Sequence, residues 1–344
     1  MSGLEVPSGP AGLCTKRGSD PRPHGDNTSS EEMSAEIKAS MPTIRLLLNL
    51  SFAMACGVVA VWAWGQSNWP VSVLCWLAGG HFLHTFALSL HDAAHGTLHP
   101  NQRVNEFLGC FYGTLILVPL TVYRRAHAHH HAQLASIDDP ELYPFVVPGT
   151  SRAFRLFCAI AEIALGYVYT PLLFLRFAWR DKKLTRPLRL RILWEYGLIA
   201  SMLALSLMTV WFTGTWQAFM IGVSAPALVA GTYQTLRKYT EHLGLFGPTI
   251  LQSTRSILPR DVWNKAISSL VQHVDHHGTH HLHARIPYFE LPSASEEVFH
   301  DEQRDVPVYR SYAAALRAML LTLPDPKAGP QWQSQLNLAT TRPQ

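Results

Sequence analysis

The sequence predicts an all-α integral membrane protein, and three observations predict it. Hydrophobic residues make up 48% of the 344-residue chain and charged residues only 15%, against about 25% charged in soluble domains, so much of the surface must face something other than water. The apolar residues fall in uninterrupted runs long enough to cross a bilayer, and the cations avoid the short links between those runs. The net charge of +4 is too small an excess to make nucleic acid the main partner, and no nucleic-acid partner is expected. Five dispersed cysteines, an odd number and mostly inside apolar runs, predict packed thiols and not a disulfide framework or a CxxC metal site.

Residues 1–41 are rich in Ser, Gly, Pro and charge and predict a disordered cytoplasmic tail, because they bury too little apolar surface to order themselves. No cleaved leader is expected, since the first apolar stretch begins only near Ile44. Runs 44–64, 70–90, 192–212 and 216–236 each suffice to cross about 30 Å of hydrocarbon at ~1.5 Å per helical residue. They predict four transmembrane helices in two hairpins. The links Gly65-Gln66-Ser67-Asn68-Trp69 and Thr213-Gly214-Thr215 carry no Lys or Arg, which places both termini on the cytoplasmic side. Trp62, Trp64, Trp69, Trp211 and Trp216 flank those links, as interfacial aromatics do.

Runs 107–122 and 153–178 are apolar, but the first is short and the second carries Arg155, Glu162 and Arg176. A crossing by 153–178 would carry the six cations of 180–191 to the outer face, against the positive-inside rule, so both runs are expected as interfacial helices. The basic run itself reads as a snorkelling, lipid-facing surface, with docking of an acidic electron carrier as the sharper alternative. Residues 301–344 are expected as a C-terminal cytoplasmic helix and tail.

Thirteen of the 18 histidines lie in three short segments. His91 and His95 are spaced HxxxH, one helical turn apart on one face. His127, His130 and His131 form HxxHH, whose i, i+3 and i+4 positions again share a face. The third segment contains HxxHH twice, at His273/His276/His277 and at His277/His280/His281, so spacing alone leaves its register open. By the charge rule all three segments lie on the cytoplasmic side of the spans, as a polar cap. Eight or more imidazoles exceed what one four- to six-coordinate ion accepts, which implies two metal ions. A structural zinc needs only four ligands, and the HExxH of a zinc protease is absent from the sequence, so a paired redox metal fits better. Asp92, Asp138, Asp139, Glu241 and Asp275 are near enough in sequence to orient ring N–H groups. His81 and His84 inside the second run read as neutral, hydrogen-bonded packing residues; His99, His129, His276 and His283 as turn or supporting residues; His24 and His300 as solvated.

HDAAHGTLHPNQRVN, YRRAHAHHHAQ followed by DDPEL, and HHGTHHLHARIPYFELP resemble the three histidine boxes of membrane fatty acid desaturases. The resemblance extends over roughly residues 44–293 and implies a membrane desaturase domain over 42–300. It aligns His277, His280 and His281, followed by Leu282, Ile286, Pro287 and Leu291, and so settles the register. It also implies a ninth ligand, His242, just after the last span. Ala284 stands where the family often has Pro, and His273 where an Asn often supports a metal-bound water. The HxxxH form of the first box resembles acyl-lipid and bacterial members, which implies a bacterial inner membrane with the site facing the cytoplasm.

The ligand set so implied is His91, His95, His127, His130, His131, His242, His277, His280 and His281, holding two iron ions (Fe2+) with O2 as co-substrate. The implied reaction is oxygen-dependent insertion of a double bond into a fatty acyl chain of a lipid, with electrons from an external ferredoxin-like or cytochrome-type donor and its reductase. The same scaffold also serves hydroxylation, carotenoid ketolation, decarboxylation to a terminal alkene, or desaturation of a small amino-acid-derived substrate. A metal transporter or sensor is the non-enzymatic alternative, disfavoured because no span carries a ladder of polar residues.

Overall fold

The computed structural model describes the backbone of residues 27–300 and 305–333, with side chains described from Met41 onward. The described residues form an all-α protein with four helices long and apolar enough to cross a membrane: Met41–Gly65, Trp69–His95, Arg152–Arg180 and Arg186–Thr213. The first of these is the later part of helix α1 (Asn27–Gly65). The expected tail over 1–41 falls mostly outside the described residues, although α1 already begins at Asn27.

Three expected spans thus sit inside α1, α2 (Trp69–His95) and α6 (Arg186–Thr213), with differences in the others. The run 107–122 is not one helix but the junction of α3 (Gln102–Leu115) and α4 (Leu120–Ala132), bent by 96°. Pro119 disfavours helical backbone at the residue before it, Leu117 takes a left-handed φ of 63°, and Val118 N donates to Gly113 O at 2.8 Å. A Cβ at Gly113 would come within 2.4 Å of Val118 O, so only glycine lets the chain fold back there.

The run 153–178 forms α5 (Arg152–Arg180), bent at Leu165 and containing Pro171; by length and composition it qualifies as a span, where the charge pattern predicts an interfacial helix. The run 216–236 is shared by α7 (Trp216–Phe219), a π-helical turn (Met220–Ser224) and α8 (Ala225–His242), none of which alone has both the length and the apolarity of a span. Pro226 lacks an N–H and its ring clashes with the carbonyl of Gly222 in regular helix, and a π-turn relieves both.

α2 and α8 form the centre, with α5 packed on α8 and α3 and α4 on α2. The α5–α8 approach depends on two glycines: a Cβ at Gly166 would meet Gly231 O at 2.5 Å, and one at Gly231 would meet Tyr167 N at 2.2 Å. Small residues give the backbones this approach where lipid supplies no hydrophobic drive between helices. Beyond α8 the chain forms β1 (Ser256–Ile257), α9 (Val262–Leu270), α10 (His277–Leu282), α11 (Leu291–Val298), β2 (Val308–Tyr309) and α12 (Tyr312–Leu320). β1 and β2 pair in parallel, Ser256 opposite Val308. Ile257 N donates to Asp275 O at 2.9 Å and Gly278 N to Ser256 Oγ at 2.8 Å, so this short sheet positions the start of α10.

Candidate metal centre

Each histidine segment is fixed locally by contacts at its helix ends. α2 ends at Gly96, in the left-handed conformation at φ 76°, with Thr97 N donating to Asp92 O at 2.9 Å; this closes the helix one residue past His95. Its remaining carbonyls are taken by Asn105 Nδ2 on Ala93 O at 2.9 Å and by the Arg124 guanidinium on Ala93 O and Ala94 O at 3.0 and 3.1 Å. The start of α4 is held from α6: Glu195 accepts from Thr121 N at 2.8 Å and from Thr121 Oγ1 at 2.6 Å, a carboxylate at a helix N-terminus. Those contacts aim the inner face of α4 at the last turns of α2 and α8.

All nine expected histidines converge there. Ligand nitrogens of His91, His95, His127 and His280 lie within 4.8 Å of one another, and those of His130, His242 and His281 form a second such group. His277 joins the second group, its Nε2 2.9 Å from His242 Nε2 and 3.0 Å from His281 Nε2. His131 stands between the two, its Nε2 3.1 Å from His127 Nε2 and its ring 4.1 Å from that of His281. The i, i+3, i+4 spacing divides each helix between the groups. On α4, His127 and His131 point one way and His130 the other; on α10, His280 goes to the first group and His277 and His281 to the second.

The donor set has more lone pairs than protons. His127 Nδ1 pairs with Glu141 at 2.9 Å, His130 Nδ1 with Asp139 at 2.8 and 2.9 Å, His91 Nδ1 with Asp92 at 3.2 Å, and His242 Nδ1 with Ser253 O at 3.3 Å. A neutral ring that donates from Nδ1 leaves a bare lone pair on Nε2. Those Nε2 atoms nevertheless meet other imidazole nitrogens, as in the 3.0 Å contact between His91 and His280, while His95 Nε2 has no hydrogen-bond partner. Two ligands at right angles on an ion with M–N of about 2.1 Å lie ~3.0 Å apart, which is the spacing seen at four of these contacts. The residues therefore fit divalent metal.

Burial disfavours charge on these rings. It is the main cause that pushes His127, His277, His280 and His281 well below the usual imidazole range, with the neighbouring imidazoles adding to it; His131 is taken down to about 2. His130 differs: burial pulls it down, but the Asp139 carboxylate outweighs that and lifts it to about 9. Neutral imidazole is the form that binds metal.

Of the carboxylates expected to orient the rings, Asp92 and Asp139 do so, and Glu241 stands 3.6 Å from His277 Nδ1 while held by Arg237 at 2.7 and 2.8 Å. Asp138 is exposed and Asp275 bonds Ser268 Oγ at 2.9 Å. Sequence reading missed Glu141, the partner of His127; the DDPEL segment after the second box is the signal for it. His273 is outside both groups, its Nδ1 2.9 Å from Ser268 Oγ. His276 bonds Ser295 Oγ at 2.8 Å, and His129 and His283 are exposed. His24 lies outside the described residues.

A cavity of about 270 Å³ opens between α2, α5, α6 and α8, and Tyr123 and Glu141, which both contact His127, form part of its wall. Tyr123 is stacked on His127, centroids 5.1 Å apart. Most of the wall is apolar, including Leu83, Phe86, Leu90, Leu173 and Phe174.

Residues 67–313 match the sequence profile of the family described as "Fatty acid desaturase". Among similar proteins, a Bacillus subtilis (strain 168) fatty acid desaturase is 24% identical over 274 residues, 72% of this chain and 74% of its own. A sphingolipid delta(4)-desaturase DES1-like protein of Oryza sativa subsp. japonica is 22% identical over 309 residues, 86% of each chain. An sn-1 acyl-lipid omega-3 desaturase (ferredoxin) of Nostoc sp. (strain 36) is 24% identical over 274 residues, 71% of this chain and 73% of its own.

Proposed function

Because the chain belongs to the fatty acid desaturase family, we propose that it is a membrane di-iron enzyme that uses O2 to introduce a double bond into a fatty acyl chain of a lipid. The observation that carries this reading is the convergence of nine histidines beside a mostly apolar cavity whose wall includes Tyr123 and Glu141, both in contact with His127. One iron would be held by His91, His95, His127, His131 and His280, the second by His130, His242, His277 and His281. Two irons, when bound, supply the activation of dioxygen that breaking an unactivated C–H bond requires. The rest is the work of this chain. Glu141, Asp139 and Asp92 fix ring tautomers so that Nε2 faces inward. The cavity wall holds an extended chain with one pair of methylenes under the first group. Tyr123, 7% exposed and stacked on His127, closes the wall against water.

The contact of His95 with His280, centroids 4.8 Å apart, bears on topology. The first two boxes precede α5 and the third follows α8, so the chain between them must cross the bilayer an even number of times. Three helical segments intervene: α5, α6 and α7–α8. The basic stretch 180–191 selects α5 as the one that does not cross. The site then faces the cytoplasm, on a bacterial inner membrane by the resemblance of the first box. Four relatives' names specify ferredoxin, which supports a ferredoxin-type external donor.

The test supplies membranes containing the protein with defined acyl chains, a reductant system and oxygen. New double bonds are expected, and only hydroxylated or shortened products would reject the reading. His127→Ala and His280→Ala should each abolish turnover and lower the iron content, while exposed His283→Ala changes neither.

A further inference from the structure

A second cavity, of about 640 Å³, lies between α9, α11 and the ends of the two short strands. Pairing of β1 with β2 builds its mouth. Parallel strands leave a sheet at the same end, and Leu258 N donates to Tyr309 O at 2.8 Å where both chains turn toward the cavity. Arg260 and Arg310 emerge together there, and Lys265 joins them from α9. Among the described residues none of the three has an ion-pair partner, Arg310 reaching only the Leu258 carbonyl at 3.4 Å. Arg125 and Arg155, by contrast, are paired with Asp181 and Asp325. Glu296 is the single acidic residue among those described at the wall.

The floor is polar and buried. His276, 5% exposed, spends Nδ1 on Ser295 Oγ at 2.8 Å, and His273 spends Nδ1 on Ser268 Oγ at 2.9 Å. Neither Nε2 has a hydrogen-bond partner among the described residues, and neither is sealed off from the cavity. Asp275 accepts from Ser268 Oγ at 2.9 Å, which leaves the serine oxygen to accept from His273 Nδ1. A neutral His273 then presents a bare lone pair on Nε2. A fitting ligand brings negative charge to the mouth and a donor to the floor. A carboxylate or a phosphate diester supplies the charge without the donor. A phosphate monoester, with a second pKa of about 6, supplies both, through its anionic oxygens and its P–OH. His273, Asp275 and His276 also have the spacing of a metal group, but three unpaired cations at the mouth oppose a divalent ion.

α9 decides between a soluble ligand and a lipid. Lys265 and Ser268, three residues apart, share the helix face toward the cavity, while Val262, Trp263, Ile267 and Leu270 are exposed on the other side. With that apolar side resting at the membrane interface, the cavity is turned to water. Its volume suits a small organic molecule, and Leu258, Pro259 and Phe299 give part of the wall an apolar surface. We propose that this cavity binds a soluble organic phosphate monoester, its phosphoryl group between Arg260, Lys265 and Arg310 and its P–OH on His273 Nε2. The site is separate from the metal groups and does not depend on the desaturase reading.

The full-length, iron-loaded protein in phosphatidylcholine nanodiscs is titrated by isothermal calorimetry with phenyl phosphate, with its diester methyl phenyl phosphate, and with inorganic phosphate. The diester stands for a phospholipid headgroup, and binding is read without turnover. The expected result is saturable binding of phenyl phosphate, at least tenfold tighter than that of the other two, about 1.4 kcal/mol of discrimination. Joint substitution Arg260→Gln, Lys265→Gln and Arg310→Gln weakens phenyl phosphate about tenfold or more, and His273→Leu brings monoester and diester to within about twofold. Wild-type protein that shows no saturable binding up to about 10 mM, or that binds monoester and diester alike, overturns the proposal without requiring any variant to fold. Inorganic phosphate bound as tightly as phenyl phosphate overturns the assignment to an organic monoester, and affinity that survives the joint substitution overturns the assignment to this cavity.

Discussion

His127 shows how much of the centre is built from single side chains acting in sequence. Its ring is stacked by Tyr123, its Nδ1 is fixed by Glu141 at 2.9 Å, and its Nε2 faces His131 Nε2 at 3.1 Å. The Glu141→Gln variant keeps the shape but presents an amide in place of the carboxylate. We predict that it weakens metal binding by about 10–100-fold, read by chelator competition; unchanged affinity would mean that Glu141 does not orient the ring. The nine imidazoles were legible in the sequence to different depths. Spacing suffices where ligands share a helix face, as on α2 and α4; on α10 it leaves two registers, and His242 has no partner in its own segment, so both rest on resemblance. Glu141 was not legible because it lies in a loop, where no period says which way a side chain points. The adjacent pair Asp138 and Asp139 shows the same difficulty. Asp139 is buried against His130 while Asp138 is exposed, and nothing in their chemistry distinguishes them.

At the scale of elements, the periodic, strongly apolar helices were legible and the breaks in them were not. α1, α2 and α6 contain their expected runs with room to spare. The bend between α3 and α4 depends on Gly113 approaching Val118 O, and the π-turn on Pro226 meeting the carbonyl of Gly222, both of them local clashes that hydropathy does not register. α9 escapes the sequence reading as well: Val262, Trp263, Ile267 and Leu270 expose an apolar face beside Arg260 and Lys265, a pattern of interfacial helices too short to stand out in a long window. α5 is the element whose placement most affects the account. With cysteines introduced one at a time into a cysteine-free background, Lys182→Cys and His283→Cys should react with an impermeant thiol reagent from the same side of the membrane, and Gly214→Cys from the opposite side. Labelling of His283→Cys together with Gly214→Cys, with Lys182→Cys on the opposite side, would mean that α5 crosses.

For the whole molecule, convergence of neutral imidazoles makes stability depend on pH. His127, His131, His277, His280 and His281 are all pushed down in the folded protein, so below the unfolded value of about 6.5 the unfolded chain binds more protons and stability falls as pH falls. Each contributes up to ~1.4 kcal/mol per pH unit. His130, raised to about 9, has the opposite sign, but its contribution changes only between about 6.5 and 9 and is constant below. The buried carboxylates Glu141, Glu241 (raised to about 7) and Asp275 (raised to about 6) gain stability as pH falls and offset part of the five. The melting temperature of the metal-free protein should therefore drop between about pH 7 and 5, and a flat or rising profile would contradict the burial of neutral rings. The central claim is that nine histidines from four separated segments hold two irons, and elemental analysis of the purified, folded protein tests it most directly. The account predicts two irons per chain, lost in large part in His280→Ala; one ion or none per chain, or zinc in place of iron, would contradict it.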